Sequence, residues 1–242
     1  MNRKIILNPA ALVLIFITML PTFTFSQTTI TNNELIGKGN PKLFGKGYKL
    51  RQEAHLAFKN MQAEAIKSNI KIGVVSSYRS FAHQKSIWER KYKRNQAKGL
   101  LPIDNIKKII EYSTIPGTSR HHWGTDIDIY QTNVKQPNSI LHAKNYQGNG
   151  AFCELKEWMD TNSKRFGFTL VYTNKSNRKG FKYEPWHYSY KPLSSQYLKR
   201  FQQLDIVKIL KKDNLLGRKH FSKGFIITYT LENILDINPE LL

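Results

Sequence analysis

The stretch Pro116-Gly117-Thr118-Ser119-Arg120-His121-His122-Trp123-Gly124-Thr125-Asp126-Ile127-Asp128-Ile129 places two histidines and two aspartates within eight residues. A glycine turn leads into Thr125 to Tyr130, which alternates polar and apolar over most of its length and so reads as a half-buried strand. Successive side chains on a strand point to opposite faces, so Asp126, Asp128 and Tyr130 share one face while Ile127 and Ile129 turn to the core. Carboxylates aimed together, next to imidazoles on the preceding turn, suit a divalent metal. Zinc accepts imidazole nitrogen and carboxylate oxygen, and a catalytic site uses three protein ligands plus an open position. A turn with solvated histidines beside an ordinary polar strand face has the same composition, so this stretch alone leaves the ligand set open.

A second stretch, Tyr183-Glu184-Pro185-Trp186-His187-Tyr188, is chemically complementary to the first. His187 can serve as a third ligand, and Glu184 as the base for a metal-activated water. Pro185 biases Glu184 away from helical backbone, so the three-residue spacing need not follow a helix face. Trp186 and Tyr188 read equally as core aromatics. A third stretch, Ser76-Ser77-Tyr78-Arg79-Ser80-Phe81-Ala82-His83-Gln84, runs from a strand end into a helix. An arginine there can grip a carboxylate with two parallel hydrogen bonds or stabilise a developing oxyanion. Spacing alone does not single Arg79 out from the other cations.

Around these stretches the periodicity predicts helices over Lys49 to Asn69, Gln84 to Ala97 and Phe152 to Phe166, the last stopped by Gly167. A short helix follows Asp104, read as its cap. Strands are predicted over Ile70 to Ser76, Phe168 to Thr173 and His187 to Tyr190, with a basic loop over Asn174 to Gly180. Helices come first and strands collect later, the pattern of an α+β domain with helices on one face of a largely antiparallel sheet. Residues 191–242 read as a C-terminal extension with a helix over Ser195 to Leu210 and an apolar strand over Phe225 to Leu231. The remaining histidines, His55, His83, His142 and His220, belong to no motif.

The chain has 242 residues, with 38 Lys+Arg against 17 Asp+Glu, a formal charge of +21. Such a field favours a polyanionic partner. Residues 1–26 read as a secretory signal: Arg3 and Lys4, an apolar run from Ile5 to Leu20, then Thr24-Phe25-Ser26 before Gln27. Asn8-Pro9 interrupts the run, leaving it short of the roughly 20 apolar residues that span a bilayer, so no stable membrane anchor is expected after cleavage. Losing Arg3 and Lys4 leaves a formal +19. An exported domain of that charge meets acidic envelope polymers rather than nucleic acid. Cys153 is the only cysteine, which excludes an intrachain disulfide and a cysteine-rich zinc site. Residues 27–48 are polar and glycine-containing and read as an extended lead-in to the domain proper, 49–190.

Together the three stretches resemble the VanY-type D-alanyl-D-alanine carboxypeptidases, of the zinc peptidase group that includes lysostaphin-like enzymes, D-Ala-D-Ala dipeptidases and the hedgehog fold. The matching residues are Ser77-Tyr78-Arg79-Ser80 with Gln84, then Ser119-x-His121 with Gly124 and Asp128, then Glu184-x-Trp186-His187. They occur in the family's order over roughly Lys49 to Tyr190. The resemblance implies Zn2+ held by His121, Asp128 and His187, with Glu184 as catalytic base. It implies Arg79 as the residue that polarises the scissile carbonyl or holds substrate, and Tyr78, Gln84, Ser119 and Trp186 as residues lining the substrate site. Asp126 stands where the family usually has a small apolar residue; a place behind a ligand suits it better than competition for the metal. The implied activity is removal of the terminal D-alanine of peptidoglycan stem peptides by an exported, periplasmic or cell-envelope enzyme. An L,D-carboxypeptidase, a D,D-dipeptidase and a crosslink endopeptidase share the machinery, and a non-catalytic zinc-stabilised binding module would not need Glu184.

Overall fold

The computed structural model describes residues 29–242. The signal segment expected over residues 1–26 lies outside the described residues. In chain order the elements are α1 (Asn32–Leu35), α2 (Gln52–Lys67), β1 (Ile72–Ser76), α3 (Phe81–Gln96), α4 (Pro102–Ile109), β2 (Asp126–Gln131), α5 (Cys153–Asn162), β3 (Phe168–Leu170), β4 (His187–Tyr190), α6 (Lys191–Phe201), α7 (Ile206–Lys212) and α8 (Lys223–Tyr229). The four strands form one antiparallel sheet in the order β1-β2-β4-β3. This is the α+β architecture expected from the sequence.

Period-2 alternation on β2 divides the sheet into an apolar face and a polar one. Ile127 and Ile129 join Phe168 and Tyr188 beneath Phe58 and Met61 of α2 and Leu155 and Met159 of α5. Helix α2 meets this face because Ala54, Phe58, Met61 and Ala65 recur at helical spacing and are fully buried. The opposite face carries Asp126, Asp128, His187 and Ser189. A second apolar cluster, none of whose buried members lies on a strand, gathers Trp88 of α3, Ile106 of α4, Trp123, and Leu198, Leu210 and Ile226 of the last three helices.

Four expectations need correction. The lead-in is packed rather than merely extended: Thr31 and Glu34 form a capping box on α1, and Ile30 and Leu35 are buried in the second cluster. Asp104 sits in the first turn of α4 rather than at its cap, because Pro102 takes the first helical position behind Leu101. The C-terminal segment contains no strand over Phe225 to Leu231. Ser222 accepts from the backbone N–H of Phe225 and starts α8, which buries Ile226 and Tyr229 at helical spacing. The single helix expected over Ser195 to Leu210 is two, because Asp205 caps a new one by accepting from Lys208 N–H. The C-terminal helices share their core with α3 and α4, so they complete the helical cluster.

Candidate active site

The β2–β4 pairing builds the site. Its register sets Asp128 opposite His187 and Asp126 opposite Ser189, so four polar side chains meet on one face of two neighbouring strands. On the other side of β2 the pairing shifts between Val74 and Ser76, which sets Ser76 opposite Asp128 and brings the chain past Ser77 to Arg79. A short 3-10 turn, Arg120–Trp123, presents His121 and ends at Gly124 with φ +70°, a left-handed conformation that favours glycine. Glu184 and His187 are the ends of a turn closed by His187 N–H donating to the Glu184 carbonyl (3.1 Å), with Pro185 at its first central position.

His121, Asp128 and His187 each offer a ligand atom, all within 4.8 Å of one another, and all three are buried. His121 Nδ1 donates to the Ser77 carbonyl at 2.7 Å, leaving Nε2 free, 3.3 Å from Asp128 Oδ2. His187 presents Nε2 to Asp126 Oδ1 at 3.0 Å, so Nδ1 is the atom aimed at the cluster, 3.8 Å from Asp128 Oδ1. His121 Nε2 and Asp128 Oδ1 are buried without a hydrogen-bond partner. Orphaned acceptors in a buried site are costly unless something else satisfies them. Two imidazole nitrogens and a carboxylate converging on one point are the donor set zinc takes, so the residues fit that ion.

Asp126 holds this arrangement from behind. Its Oδ1 accepts from Arg120 Nε and from His187 Nε2, and its Oδ2 from Thr125 Oγ1 and Ser189 Oγ. Burial pushes its carboxyl up, but the Arg120 guanidinium and the His187 hydrogen bond outweigh this and hold it well below the usual range. Burial pushes His187 down, yet hydrogen bonds to Asp126 and Glu184 raise it to about 9. Burial also raises Glu184, partly offset by its bond to His187. Glu184 Oε2 lies 3.0 Å from His187 Nδ1, at the edge of the ligand cluster.

A cavity of about 400 Å³ opens over the cluster, lined by His121, Asp128 and His187 together with Glu184, Arg79, Ser119 and Trp186. Arg79 is fixed by its backbone: its N–H donates to the His121 carbonyl at 3.0 Å and its carbonyl accepts from His122 Nδ1 at 2.6 Å. His122 therefore serves the scaffold, outside the ligand cluster. Burial lowers it to about 3, so it is neutral, and its ring sits against Gly37, where a Cβ would collide. Arg79 Nη1 donates to Gln84 Oε1 at 2.9 Å, while Nε has no partner.

Two residues expected against substrate stand elsewhere. Gln84 is fully buried behind Arg79, anchored through Nε2 to the Thr114 carbonyl. Tyr78 is not among the cavity's lining residues; its side chain feels the charges of Arg51 and Glu34 instead. Conversely, Arg120, Lys91 and Thr114 line the cavity and were not singled out by the motifs. Opposite charges six residues apart around the Gly124 turn were the available sign of the Arg120–Asp126 pair. Lys91 shares a helical face with Gln84 and Ile87, a spacing lost among so many cations.

The family model for VanY, described as D-alanyl-D-alanine carboxypeptidase, matches residues 47–193. The chain is 34% identical over 105 residues to an uncharacterised protein of Haemophilus influenzae, covering 43% of this chain and 80% of that one. It is 32% identical over 118 residues to a D-alanyl-D-alanine carboxypeptidase of Enterococcus faecalis, covering 48% of this chain but only 39% of the relative's length. Among solved structures, VanYB in complex with D-alanine-D-alanine shares the fold, with a TM-score of 0.52 at 23% identity over 73% of this chain and 92% of that one. A D,D-pentapeptidase VanY variant in complex with Zn(II) gives 0.51 at 24% identity, over 67% and 83%.

Proposed function

The chain belongs to the VanY D-alanyl-D-alanine carboxypeptidase family, and from that membership we propose that it is a zinc-dependent hydrolase of the terminal D-Ala–D-Ala bond of peptidoglycan stem peptides. The observation that carries the reading is Glu184 at 3.0 Å from His187 Nδ1, beside three convergent ligands and open to the cavity. A purely structural metal site has no use for an additional carboxylate, outside the ligand set, at that place.

His121, Asp128 and His187 would hold a zinc ion, which would supply a Lewis acid for the scissile carbonyl and acidify water. Glu184 takes a proton from the attacking water as the new C–O bond forms, then passes it to the leaving amine as the C–N bond breaks. Arg79, fixed by Gln84 and by its backbone, offers its unpartnered Nε–H to the oxygen that gains negative charge. Ser119 and Trp186 line the cavity and contact the peptide.

The setting belongs to the same proposal. The residue pattern of 1–26 supports export to the periplasm or cell envelope, and the formal +19 left after its removal suits acidic stem peptides rather than nucleic acid. Among the described residues no helix is long and apolar enough to cross a membrane. Cleavage before Gln27, read by mass spectrometry of the protein recovered from cells, tests export. For the activity, zinc-loaded protein is incubated with a peptide ending in D-Ala-D-Ala and free D-alanine is measured. Stoichiometric release, abolished by a chelator, is the expected result; an intact peptide under both conditions overturns the reading.

A further inference from the structure

We propose that Lys91 is a specificity-determining residue that pairs with the free C-terminal carboxylate of the substrate and so makes the site a carboxypeptidase rather than an endopeptidase. This rests on the hydrolase reading above and names a residue that reading does not use.

Lys91 lies on α3, one turn beyond Ile87 and two beyond Gln84, and all three fall on the face that turns toward the site. Gln84 is buried behind Arg79, whereas Ile87 and Lys91 line the cavity itself. Among the described residues the Lys91 ammonium has no carboxylate within 4.0 Å and no hydrogen-bond partner within 3.5 Å. Half-buried cations rarely stay unpaired, since desolvation disfavours the charge unless an anion compensates. Burial lowers its basicity, and the largest opposing charge it feels is that of Glu184. The cavity wall therefore carries a cation that no protein group pairs with directly.

Charge balance indicates what that is. Arg120 and Asp126 form an ion pair at 3.0 Å, so their charges cancel. Of the groups that remain on the cavity wall, Arg79 and Lys91 offset Asp128 and Glu184, so a divalent ion leaves two positive charges in excess. One meets the oxyanion that develops beside Arg79. The other requires an anion on the substrate from the start, and a peptide with a free C-terminus carries one next to the scissile bond. Thr114 Oγ1, on the segment that Gln84 Nε2 ties against this face of α3, is buried without a partner and lines the same cavity. It supplies a second donor for the carboxylate. A crosslinked or amidated terminus would leave Lys91 unpaired in a partly desolvated site.

Binding separates this inference from the hydrolase reading. Zinc-loaded Glu184→Ala protein, which should not turn substrate over, is titrated calorimetrically with a peptide ending in D-Ala-D-Ala acid and with its C-terminal amide. The acid should bind about 10- to 100-fold more tightly. Lys91→Met should erase that preference by weakening the acid alone, and Lys91→Arg should restore most of it. Equal affinity for acid and amide, or a preference that survives Lys91→Met, overturns the inference. So does a Lys91→Met effect that appears only with a side-chain carboxylate, tested by exchanging glutamate for glutamine within the peptide. A Lys91-dependent preference in a protein whose Glu184 form hydrolyses nothing would leave this assignment standing and remove the hydrolase reading.

Discussion

Asp126 Oδ1 lies 3.0 Å from His187 Nε2 across the β2–β4 pair, and this contact decides which nitrogen of His187 faces the ligand cluster. With Nε2–H committed to the carboxylate, Nδ1 is the nitrogen left to ligate a metal once its own proton is lost. Arg120, bonded to the same oxygen and to Ser189, keeps Asp126 ionised in a fully buried position.

Asp126→Asn should therefore have two separable effects. Zinc affinity, measured by competition with a chromogenic chelator, should fall roughly 10- to 100-fold. Stability should fall by about 3–5 kcal/mol, because Arg120 is left buried without its anion. Combining it with Arg120→Met should recover much of the stability in urea unfolding but not the zinc affinity.

Arg79 and Gln84 should differ in degree along one chain of contacts. Arg79→Lys removes the planar donor array and should lower kcat by about 10² to 10³. Gln84→Ala leaves the guanidinium present but loosely held, so kcat should drop roughly tenfold to a hundredfold with little change in KM. Steady-state kinetics on a D-Ala-D-Ala peptide resolve the two.

Zinc binding should release protons. His187 is raised to about 9 without metal, so near pH 7 it holds a proton on Nδ1 that a metal must displace. Zinc affinity should consequently climb with pH and level off above about 9. Calorimetry in two buffers of different ionisation enthalpy should show close to one proton released at pH 7, and none well above that value.

Phe58→Ala probes the other face of the sheet. Phe58 is fully buried against Phe168, with ring centroids 6.1 Å apart. Its loss should cost about 3–5 kcal/mol. Urea unfolding should show a lower midpoint with an unchanged slope.

Much of this was legible in the sequence because β2 obeys a period of two with one face apolar. Ile127 and Ile129 fixed which way Asp126 and Asp128 point, and the motif order supplied the distant partner His187. What Asp126 does was less legible, since its contacts with Arg120, Ser189 and His187 depend on a strand register that only the fold supplies. The C-terminal misreading has a local cause. Phe225-Ile226-Ile227-Thr228-Tyr229 is a β-branched, aromatic run with strand composition, and the cap at Ser222 with burial of Ile226 and Tyr229 overrides it. Gln84 sits in the right motif yet acts through Arg79, a distinction that spacing does not carry.

Glu184, beside the ligand set His121, Asp128 and His187, is the proposed base for removal of the terminal D-alanine of stem peptides. Mass spectrometry of purified muropeptides after incubation with zinc-loaded protein, with Glu184→Ala alongside, tests it most directly. The pentapeptide should lose one alanine, and the Glu184→Ala protein should bind zinc but leave the pentapeptide intact. An untouched pentapeptide, with shortened tetrapeptides or split crosslinked dimers, would contradict the assigned bond; equal activity of the two proteins would contradict the role of Glu184.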